Sequence, residues 1–415
     1  MPDHKEMTKL MTKRLPRPTM ALLIACGVQG ANHGFQVFLV GGMVRDVLRD
    51  RISRDPDLVV QEVVPTLDAS ARYAEVLAGS LGVTVSPPSQ FGTIKVVAGG
   101  LEVDIASARR ESYASPGALP DVRAATIEGD LGRRDFTINA IGVDLGPKTF
   151  GNIVDIHGGQ EDLNHRVIGV IHDGSFADDP TRLFRAVRYE TRLNLRMTMM
   201  TEMALRRDIG HLAAVSGDRI RNELERIFVE DNPAHALSRA DELGMLQATL
   251  PALTWTSAMT AAARQMKERG PMSFLALLAS SLSREDAEAF AARINATGPW
   301  SAIIHDAVTV AEQLDDLAVS GLSPSGVYRI LEGLSPEAVS AWAALSGDAT
   351  AAGRLREYAD NLRYVRPALD GDALLALGVP QGPRVGELLR ELLHARLDGQ
   401  VANRADEEAL VRDRL

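Results

Sequence analysis

The residues with the clearest chemical potential are two carboxylates, Asp55 and Asp57, which follow a glycine turn at Gly41 and Gly42. The turn lies between a short apolar run and a short helical pattern that carries Arg45, and a second predicted strand begins near Asp57. Because strand side chains alternate between faces, the two carboxylates share one face. Such a pair suits two Mg²⁺ ions that bridge a nucleotide's phosphates, which the glycines let backbone N–H groups approach.

The sequence Asp55-Pro56-Asp57 is also typical of an ordinary turn, so this first segment alone leaves open whether it binds a metal or only forms a turn.

A third carboxylate follows on a predicted hairpin. Two β-rich runs, Thr93–Ala98 and Leu101–Ile105, flank a Gly-Gly pair that predicts a two-residue hairpin turn. Glu102 and Asp104 share one face of its second strand. If this strand lies beside the first two carboxylates, Asp104 could polarise an attacking hydroxyl; otherwise it belongs to the wet face of a half-buried strand.

Two further segments carry charged residues. The segment Arg109–Val122 is predicted to be a loop from its Ser, Pro and Gly content, although it also carries Arg, Glu and Tyr. Loops of this length beside a candidate site are often mobile functional elements.

The following motif GRRDFTINA contains Arg134, Asp135 and Asn139. Its ordinary interpretation is an Asp-led helix cap with solvated arginines.

An arginine row follows Asp178 and Asp179. Pro180 predicts a helix start with Asp179 at the N-cap. A solvated helix face normally interleaves acids and bases, whereas few acids accompany these arginines. The row therefore predicts a site for phosphates or for the edge of a base, with a bare solvated face as the alternative. Its members recur at spacings that place them on one helix face: Arg182, Arg185, Arg188, Arg192 and Arg196.

Length, composition and charge limit the class of protein to which this chain can belong. With 415 residues, 45% hydrophobic and 24% charged, the chain is expected to hold two or more globular domains. A single cysteine, Cys26, excludes an internal disulfide framework and predicts a cytoplasmic location. The net charge of −10 argues against nonspecific coating of nucleic acid, but residues 182–226 hold 10 arginines against 6 acids. No apolar run is long enough for a membrane span, and the stretch 20–28 is predicted to be a helix packed on the first strand rather than a secretory signal.

The distribution of patterns predicts two architectures in one chain. Residues from about 35 to 150 alternate strands and helices, which predicts a small mixed sheet with flanking helices. From about residue 180 onward, helical periodicity is interrupted by Pro and Gly, and Asp286–Ala296 and Ala338–Ala352 are Ala-rich stretches typical of packed helices. We therefore expect an α/β head followed by a long all-α arm.

These motifs, together and in this order, resemble those of the class II tRNA nucleotidyltransferases and bacterial poly(A) polymerases. The GG-x-x-R-D…D-x-D element is similar to that family's metal motif, RRDFTINA to its second motif, and Asp179-Pro-Thr-Arg182 to its nucleotide-base template. Ser216–Phe228 resembles its neck helix, and Asp370–Gln400 is similar to C-terminal segments of some members. The resemblance covers roughly residues 35–250. One departure is Asp178-Asp179, where many members have Glu-Asp.

The resemblance implies a fold and a domain order. It implies a polymerase-β-like mixed-sheet nucleotidyltransferase head, followed by an all-α neck, body and tail that hold the acceptor arm and 3′ end of tRNA. We therefore expect an N-terminal helical segment at 1–34, the head at 35–150, a neck with base recognition at 151–235, and an RNA-binding body and tail at 236–415.

The resemblance also implies the chemistry. Asp55 and Asp57 would hold Mg²⁺, Asp104 would be the third catalytic carboxylate, and CTP or ATP would donate nucleotides to the RNA 3′-hydroxyl. Asp179 and Arg182 would present a Watson–Crick-like edge to the incoming base. The nucleotide-binding residues would be Gly42, Arg45, Arg134, Asp135, Asn139, Asp179, Arg182, Arg185 and Arg188.

Several activities stay open at this point. The leading hypothesis is template-independent addition of C, A or both to tRNA 3′ ends, and the runner-up is poly(A) addition to general RNA. A small-molecule nucleotidyltransferase has little need of a long helical arm. A catalytically dead RNA-binding protein is disfavoured because every proposed metal-ligand position carries a carboxylate. The family's flexible loop corresponds to Arg109–Val122, and its presence favours competence for adding A. Neither the oligomeric state nor the role of residues 250–370 follows from the sequence.

Overall fold

The structure, a computed structural model, describes residues 3–52, 55–89, 92–267 and 269–415. It divides into two compact units, the first ending at Val215 and the second beginning at Ser216. Residues 216–235, which the sequence analysis grouped with 151–215 as a neck, fall in the second unit. The four-part division of the chain stays a prediction.

The first unit is built on a seven-stranded mixed sheet with the order β3-β4-β5-β2-β1-β8-β9. In the sheet β2 pairs with β1 antiparallel and with β5 parallel, which aligns Asp57 with Asp104. The third carboxylate therefore lies beside Asp57, as the sequence analysis required. The strands of this unit are β1 (Phe35–Val40), β2 (Asp57–Glu62), β3 (Thr84–Val85), β4 (Ile94–Ala98), β5 (Leu101–Ser107), β6 (Arg109–Ser112), β7 (Asp121–Ala124), β8 (Gly142–Asp144), β9 (Ile153–Val154), β10 (Val167–Ile168) and β11 (Arg196–Met197).

Helices cover the sheet because β1 is apolar on both faces. Leu39 belongs to a large core with Tyr73 and the N-terminal helices, whereas Phe38 packs in a smaller cluster with Ile127 and Leu131. Helix α2 packs on β1, as predicted for residues 20–28. The α-helices are α1 (His4–Arg14), α2 (Arg17–Asn32), α3 (Gly42–Leu48), α4 (Ala69–Leu81), α5 (Ile127–Gly132), α6 (Gly159–His165), α7 (Ser175–Asp178), α8 (Arg182–Leu193) and α9 (Met199–Asp208), with 3₁₀ turns at Thr137–Asn139 and Ile209–Ala214.

The prediction of a continuous loop over Arg109–Val122 is wrong at both ends. Strands β6 and β7 pair antiparallel as a separate two-stranded ribbon, which leaves only residues 113–120 as the loop. The Pro and Gly residues of the segment lie in that loop together with Ser115, whereas Ser112 is the last residue of β6. The flanking strands alternate between exposed and half-buried positions, which is the strand period.

The predicted start and end of the arginine helix also need correction. Helix α8 begins at Arg182 with Thr181 at the N-cap, and Asp179 lies before it in extended conformation. The Asp179 carboxylate accepts hydrogen bonds from the Thr181 backbone N–H at 3.1 Å and hydroxyl at 2.7 Å, which stabilises a turn there. The helix ends before Asn194, whose φ of 50° is left-handed, so Arg196 lies in β11 and not in the row.

The second unit contains only helices among its described residues, and several of them begin at a proline, the residue that best fits a first helical turn. The Ala-rich stretch Ala338–Ala352 is helical, as predicted, and is divided between two helices, because Asp348 caps the second by accepting from two backbone N–H groups at 2.8 Å. No described helix of either unit is long and apolar enough to cross a membrane. The α-helices are α10 (Gly217–Phe228), α11 (Pro233–Glu242), α12 (Met245–Thr249), α13 (Ser257–Gln265), α14 (Pro271–Ala279), α15 (Arg284–Arg293), α16 (Pro299–Glu312), α17 (Leu314–Ala318), α18 (Pro324–Leu331), α19 (Pro336–Leu345), α20 (Ala349–Asp360), α21 (Gly371–Ala376), α22 (Pro383–Leu397) and α23 (Arg404–Arg412).

Candidate active site

The carboxylates meet at one edge of the sheet, beside the glycine turn. Gly41 has a φ of 72°, a conformation that glycine adopts without strain. A Cβ at this position would lie 3.1 Å from an Nη1 atom of Arg134 and 3.4 Å from Oδ2 of Asp57. Glycine therefore lets the turn approach both charged side chains closely. The side chains of Asp55 and Asp57 are exposed, and that of Asp104 is half-buried.

The electrostatics of this edge favour a divalent cation. Loss of hydration raises the pKa of Asp57, the charges of Asp104 and Asp55 raise it further, and Arg134 opposes them. Carboxylates that disfavour each other's ionisation are stabilised when a cation neutralises them. The described residues contain no group of three or more His, Cys, Asp or Glu with ligand geometry. The alignment of Asp57 with Asp104 on neighbouring strands suits a divalent cation of the kind that one or two carboxylates hold together with substrate phosphates.

A buried carboxylate, Asp135, organises a second group of predicted site residues. Its Oδ1 accepts from Asn139 Nδ2 at 2.9 Å, and its Oδ2 accepts from Arg185 Nε at 3.0 Å. Asn139 in turn accepts from Arg45 Nη1 at 2.7 Å. Burial would raise the pKa of Asp135, but Arg185 and these hydrogen bonds outweigh burial and lower it. The ionised Asp135 therefore orients two arginines that come from different helices, which goes beyond the helix cap of the ordinary interpretation.

Four arginines surround Tyr189, a residue that the sequence analysis missed. The guanidinium carbons of Arg45, Arg185, Arg188 and Arg192 lie 5.6, 5.5, 5.5 and 5.9 Å from the centre of its ring. The negative face of an aromatic ring attracts cations at this range. The available signal was an aromatic residue four positions after one arginine of the row and three before another.

A second buried carboxylate, Asp130, was also missed. It is fully buried and accepts from Arg133 Nε at 2.9 Å and from Arg134 Nη2 at 3.0 Å. Burial would raise its pKa, but the charges of Arg134 and Arg133 lower it. The signal lay in the spacing, since an acid three and four residues before two bases pairs with them on a helix. Asp130 thus fixes Arg134 beside the glycine turn.

The predicted base-recognition residues lie near the ribbon. The buried guanidinium of Arg182 donates to Ser175 Oγ and to the Arg133 carbonyl, each at 2.7 Å. Burial raises the pKa of Tyr113, as do the neighbouring charges of Glu111 and Asp179, while Arg182 opposes them. Tyr113 donates to Glu111 at 3.0 Å, and Arg133 donates to the same carboxylate at 3.1 Å.

The row of arginines is therefore not a bare solvated face. Arg182 and Arg188 are buried, and Arg185 finds its acid in Asp135, far away in sequence. The structure brings the site residues into three groups within the first unit: the sheet edge, the Asp135 group and the Arg182 group. Arg133 contacts Glu111 and Arg182, and Arg134 lies against Gly41, so these two neighbouring residues connect the groups.

Comparison with known proteins identifies relatives of this chain. Residues 37–169 match the family model described as the poly A polymerase head domain, and residues 194–256 match the one described as a probable RNA and SrmB-binding site of polymerase A. The chain is 34% identical to the A-adding tRNA nucleotidyltransferase of Geobacter sulfurreducens over 97% of its own length and 48% of that protein. It is 33% identical to the enzyme of the same name from Halalkalibacterium halodurans over 97% of its own length and 96% of that protein. The chain thus spans about half the length of the first relative and nearly all of the second.

Solved structures share the whole fold. A CCA-adding enzyme in an apo form has a TM-score of 0.85 and 28% identity, with 98% of each chain covered. The Thermotoga maritima CCA-adding enzyme complexed with tRNA has a TM-score of 0.79 and 28% identity over the same coverage. These matches confirm the mixed-sheet head with a mostly helical remainder.

The fold is that of the nucleotidyltransferases, a class of enzyme that transfers nucleotides from triphosphates. The chain belongs to the family of tRNA nucleotidyltransferases and bacterial poly(A) polymerases, which confirms the resemblance drawn from its motifs.

Proposed function

We propose that the protein adds nucleotides without a template to the 3′ end of tRNA, with terminal A as the principal product. The observation that carries the proposal is the alignment of Asp57 with Asp104 across the parallel pair, beside Gly41 and Arg134. Addition of A is favoured because both whole-chain relatives described above are A-adding enzymes. Addition of C as well is the second candidate, because CCA-adding enzymes share the fold over 98% of the chain.

The three carboxylates divide the catalytic roles. Asp55 and Asp57 hold Mg²⁺, which when bound neutralises charge on the phosphates of the nucleotide. Asp104, one strand away, polarises the attacking 3′-hydroxyl of the RNA. These oxygens suit a reaction that depends on positioning and charge neutralisation more than on covalent participation of the protein.

The arginine groups bind the nucleotide. Gly42 leaves room for close approach of phosphate, and Arg134 is fixed beside the turn by Asp130. Asp135 and Asn139 orient Arg45 and Arg185, which with Arg188 surround Tyr189. Bidentate guanidinium groups of fixed orientation bind phosphate more tightly than mobile ones, because less side-chain freedom is lost on binding.

Asp179 and Arg182 select the base. Arg182 donates to Ser175 and to the Arg133 carbonyl, which fix the position of its guanidinium and leave further N–H donors for the edge of a base. The ribbon supports this role, since Glu111 binds Arg133 and Tyr113 lies close enough to Asp179 and Arg182 for their charges to affect its pKa. The proposal thus places base selection where the ribbon and α8 meet.

The RNA partner is the acceptor arm and 3′ end of tRNA. The T. maritima structure contains tRNA on a chain that shares this fold over 98% of its length. An acidic protein of net charge −10 is expected to hold RNA through local basic surfaces and shape. A cytoplasmic location stays a prediction from the cysteine content.

The experiment compares tRNAs that end at the discriminator base or at CC, each with CTP or ATP alone. The expected result is one A added to the CC end from ATP and no extension of the discriminator end by CTP. Two C residues on the discriminator end would show CCA addition instead. Long A tails on unrelated RNA would show poly(A) polymerase activity, and absence of incorporation in every combination would overturn the proposal.

A further inference from the structure

Three arginines converge where helix α8 ends. Arg49 Nη2 donates to the Leu193 carbonyl at 2.6 Å, and Arg166 Nη2 donates to the Asn194 carbonyl at 3.1 Å. The Arg196 backbone N–H donates to the Arg166 carbonyl at 3.1 Å, next to the pairing of β10 with β11. Arg51 follows Arg49 by two residues. These four residues, Arg49, Arg51, Arg166 and Arg196, are called the basic face below.

The acids near the basic face are engaged elsewhere. Asp46 accepts from Arg45 at 2.9 Å, and Asp50 pairs with Arg14 and Lys13 on the N-terminal helix. Glu190 accepts from the Met197 backbone N–H at 3.0 Å. The basic face therefore carries an excess of positive charge.

The arginines also crowd one another. Burial lowers the pKa of Arg49, and the charges of Arg51, Arg45 and Arg166 lower it further, while Asp46 opposes them. A cluster of like charges is unfavourable in the free protein, and an anion that binds there relieves the repulsion.

Capping of the helix explains only part of this arrangement. The carbonyl groups at a helix C-terminus attract cations, which accounts for the contacts of Arg49 and Arg166. It does not account for Arg51 and Arg196, whose exposed side chains make no hydrogen bond or ion pair with any other described residue. Two of the four guanidinium groups thus face solvent with all their donors available.

The position of the basic face distinguishes the kind of anion. It lies at the C-terminal ends of α3 and α8, whereas the carboxylates and the base-recognition residues lie at their N-terminal ends. A rise of 1.5 Å per residue makes these helices about 10 and about 18 Å long. The basic face therefore lies apart from the residues proposed to hold the phosphates and the base of the nucleotide, which favours another part of the substrate as its anion.

We propose that the basic face binds backbone phosphates of the RNA substrate, upstream of its 3′ end. This inference rests on the proposed function, because it takes RNA to be the acceptor. The arginines contribute affinity and position without reading sequence, as contacts to phosphate do. Each phosphate contact releases condensed counterions, so it makes RNA binding more sensitive to salt.

The test uses the full-length double variant Arg51→Gln/Arg196→Gln. We expect the slope of log affinity for tRNA against log salt to fall by about 0.7–0.9 for each lost contact. The KM for tRNA should rise about tenfold at physiological salt, and the KM for ATP should stay unchanged. The matched control is Arg72→Gln, which changes an exposed arginine of the same unit that pairs with Glu62. It should leave the slope unchanged.

The outcomes separate this inference from the proposed function. If the double variant keeps the wild-type salt slope and the wild-type protein extends tRNA, the inference about the basic face is overturned and the proposed function stands. A rise in the KM for ATP alone would also overturn it, because the arginines would then serve the nucleotide. A protein that binds tRNA through these arginines but adds no nucleotide would support the basic face and refute the proposed function. The charge-preserving variant Arg51→Lys/Arg196→Lys should retain the wild-type slope, and loss of the slope there would count against phosphate contacts.

Discussion

The two units bury charge very differently. Burial of an ion costs several kcal/mol unless geometry and hydrogen bonds compensate, so buried ions are retained where position matters more than stability. In the first unit most of them lie around the proposed site, whereas the second unit has an apolar helical core. The head is therefore organised around fixed charges and the arm around hydrophobic packing. Among the described residues, the buried ionic side chains are Arg45, Asp130, Asp135, Arg182, Arg188 and Asp208 in the first unit and Glu223 and Glu407 in the second.

The largest expected effect is on catalysis in the first unit. Asp57→Asn should lower the rate of nucleotide transfer by about 10³-fold, because it removes one charged oxygen ligand from a site that works by charge neutralisation. The melting temperature should change little, because the side chain is exposed. Single-turnover incorporation of ATP measures the rate. Glu102→Gln, an exposed carboxylate on the strand of Asp104, is the control and should retain activity; equal rates for the two variants would refute the metal assignment.

The second prediction concerns stability of the other unit. Glu407 is fully buried and accepts from the backbone N–H groups of Ala368 and Leu369 and from Arg396 Nη1 at 2.6 Å. Glu407→Ala should lower the free energy of unfolding by about 3 kcal/mol, because it leaves a cation and two N–H groups without their acceptor. Denaturant unfolding measures this change.

The neighbouring residue provides the control for that measurement. Glu408 is more exposed and pairs with Arg404 and Arg412 at the surface. Glu408→Ala should cost less than about 1 kcal/mol, as surface ion pairs do. If both variants lose the same stability, the contrast between buried and surface charge in the second unit does not hold.

The smallest effect tests Tyr189 as a positioning residue for the arginines. Tyr189→Leu should raise the KM for ATP about tenfold with little change in kcat, because the ring orients arginines that bind the nucleotide. Tyr189→Phe keeps the ring and should restore the wild-type KM. Tyr358→Leu, which removes a buried ring from the second unit, should affect stability but not KM. A Phe variant as impaired as the Leu variant would show that the hydroxyl, which lies 3.4 Å from Arg185, carries the effect instead.

Local patterns in the sequence predicted the elements of the sheet edge. Gly41 and Gly42, the strand at Asp57 and the hairpin that carries Asp104 all follow from short-range rules of turns and strand alternation. The match of motifs then implied which residues meet. Positions that depend on neighbours in sequence were therefore predictable.

Contacts between distant segments were not. Asp135 was interpreted as a possible helix cap with solvated arginines beside it, because nothing near it in sequence shows that Arg185 binds it. Arg196 was placed on the helix because the spacing continues, whereas the left-handed Asn194 ends the helix first. The ends of the ribbon were missed because loop composition in its centre masked two short strands.

The parallel pairing of β2 with β5 has a consequence for how the head becomes active. Asp57 and Asp104 are separated in sequence by α4, β3 and β4, and the pairing of β2 with β5 brings them side by side. Pairings between distant strands form slowly, because loop closure costs entropy before the contacts compensate. A chain arrested before that step would carry every carboxylate of the site without their shared edge. The appearance of divalent-ion affinity during refolding would therefore report when β2 pairs with β5.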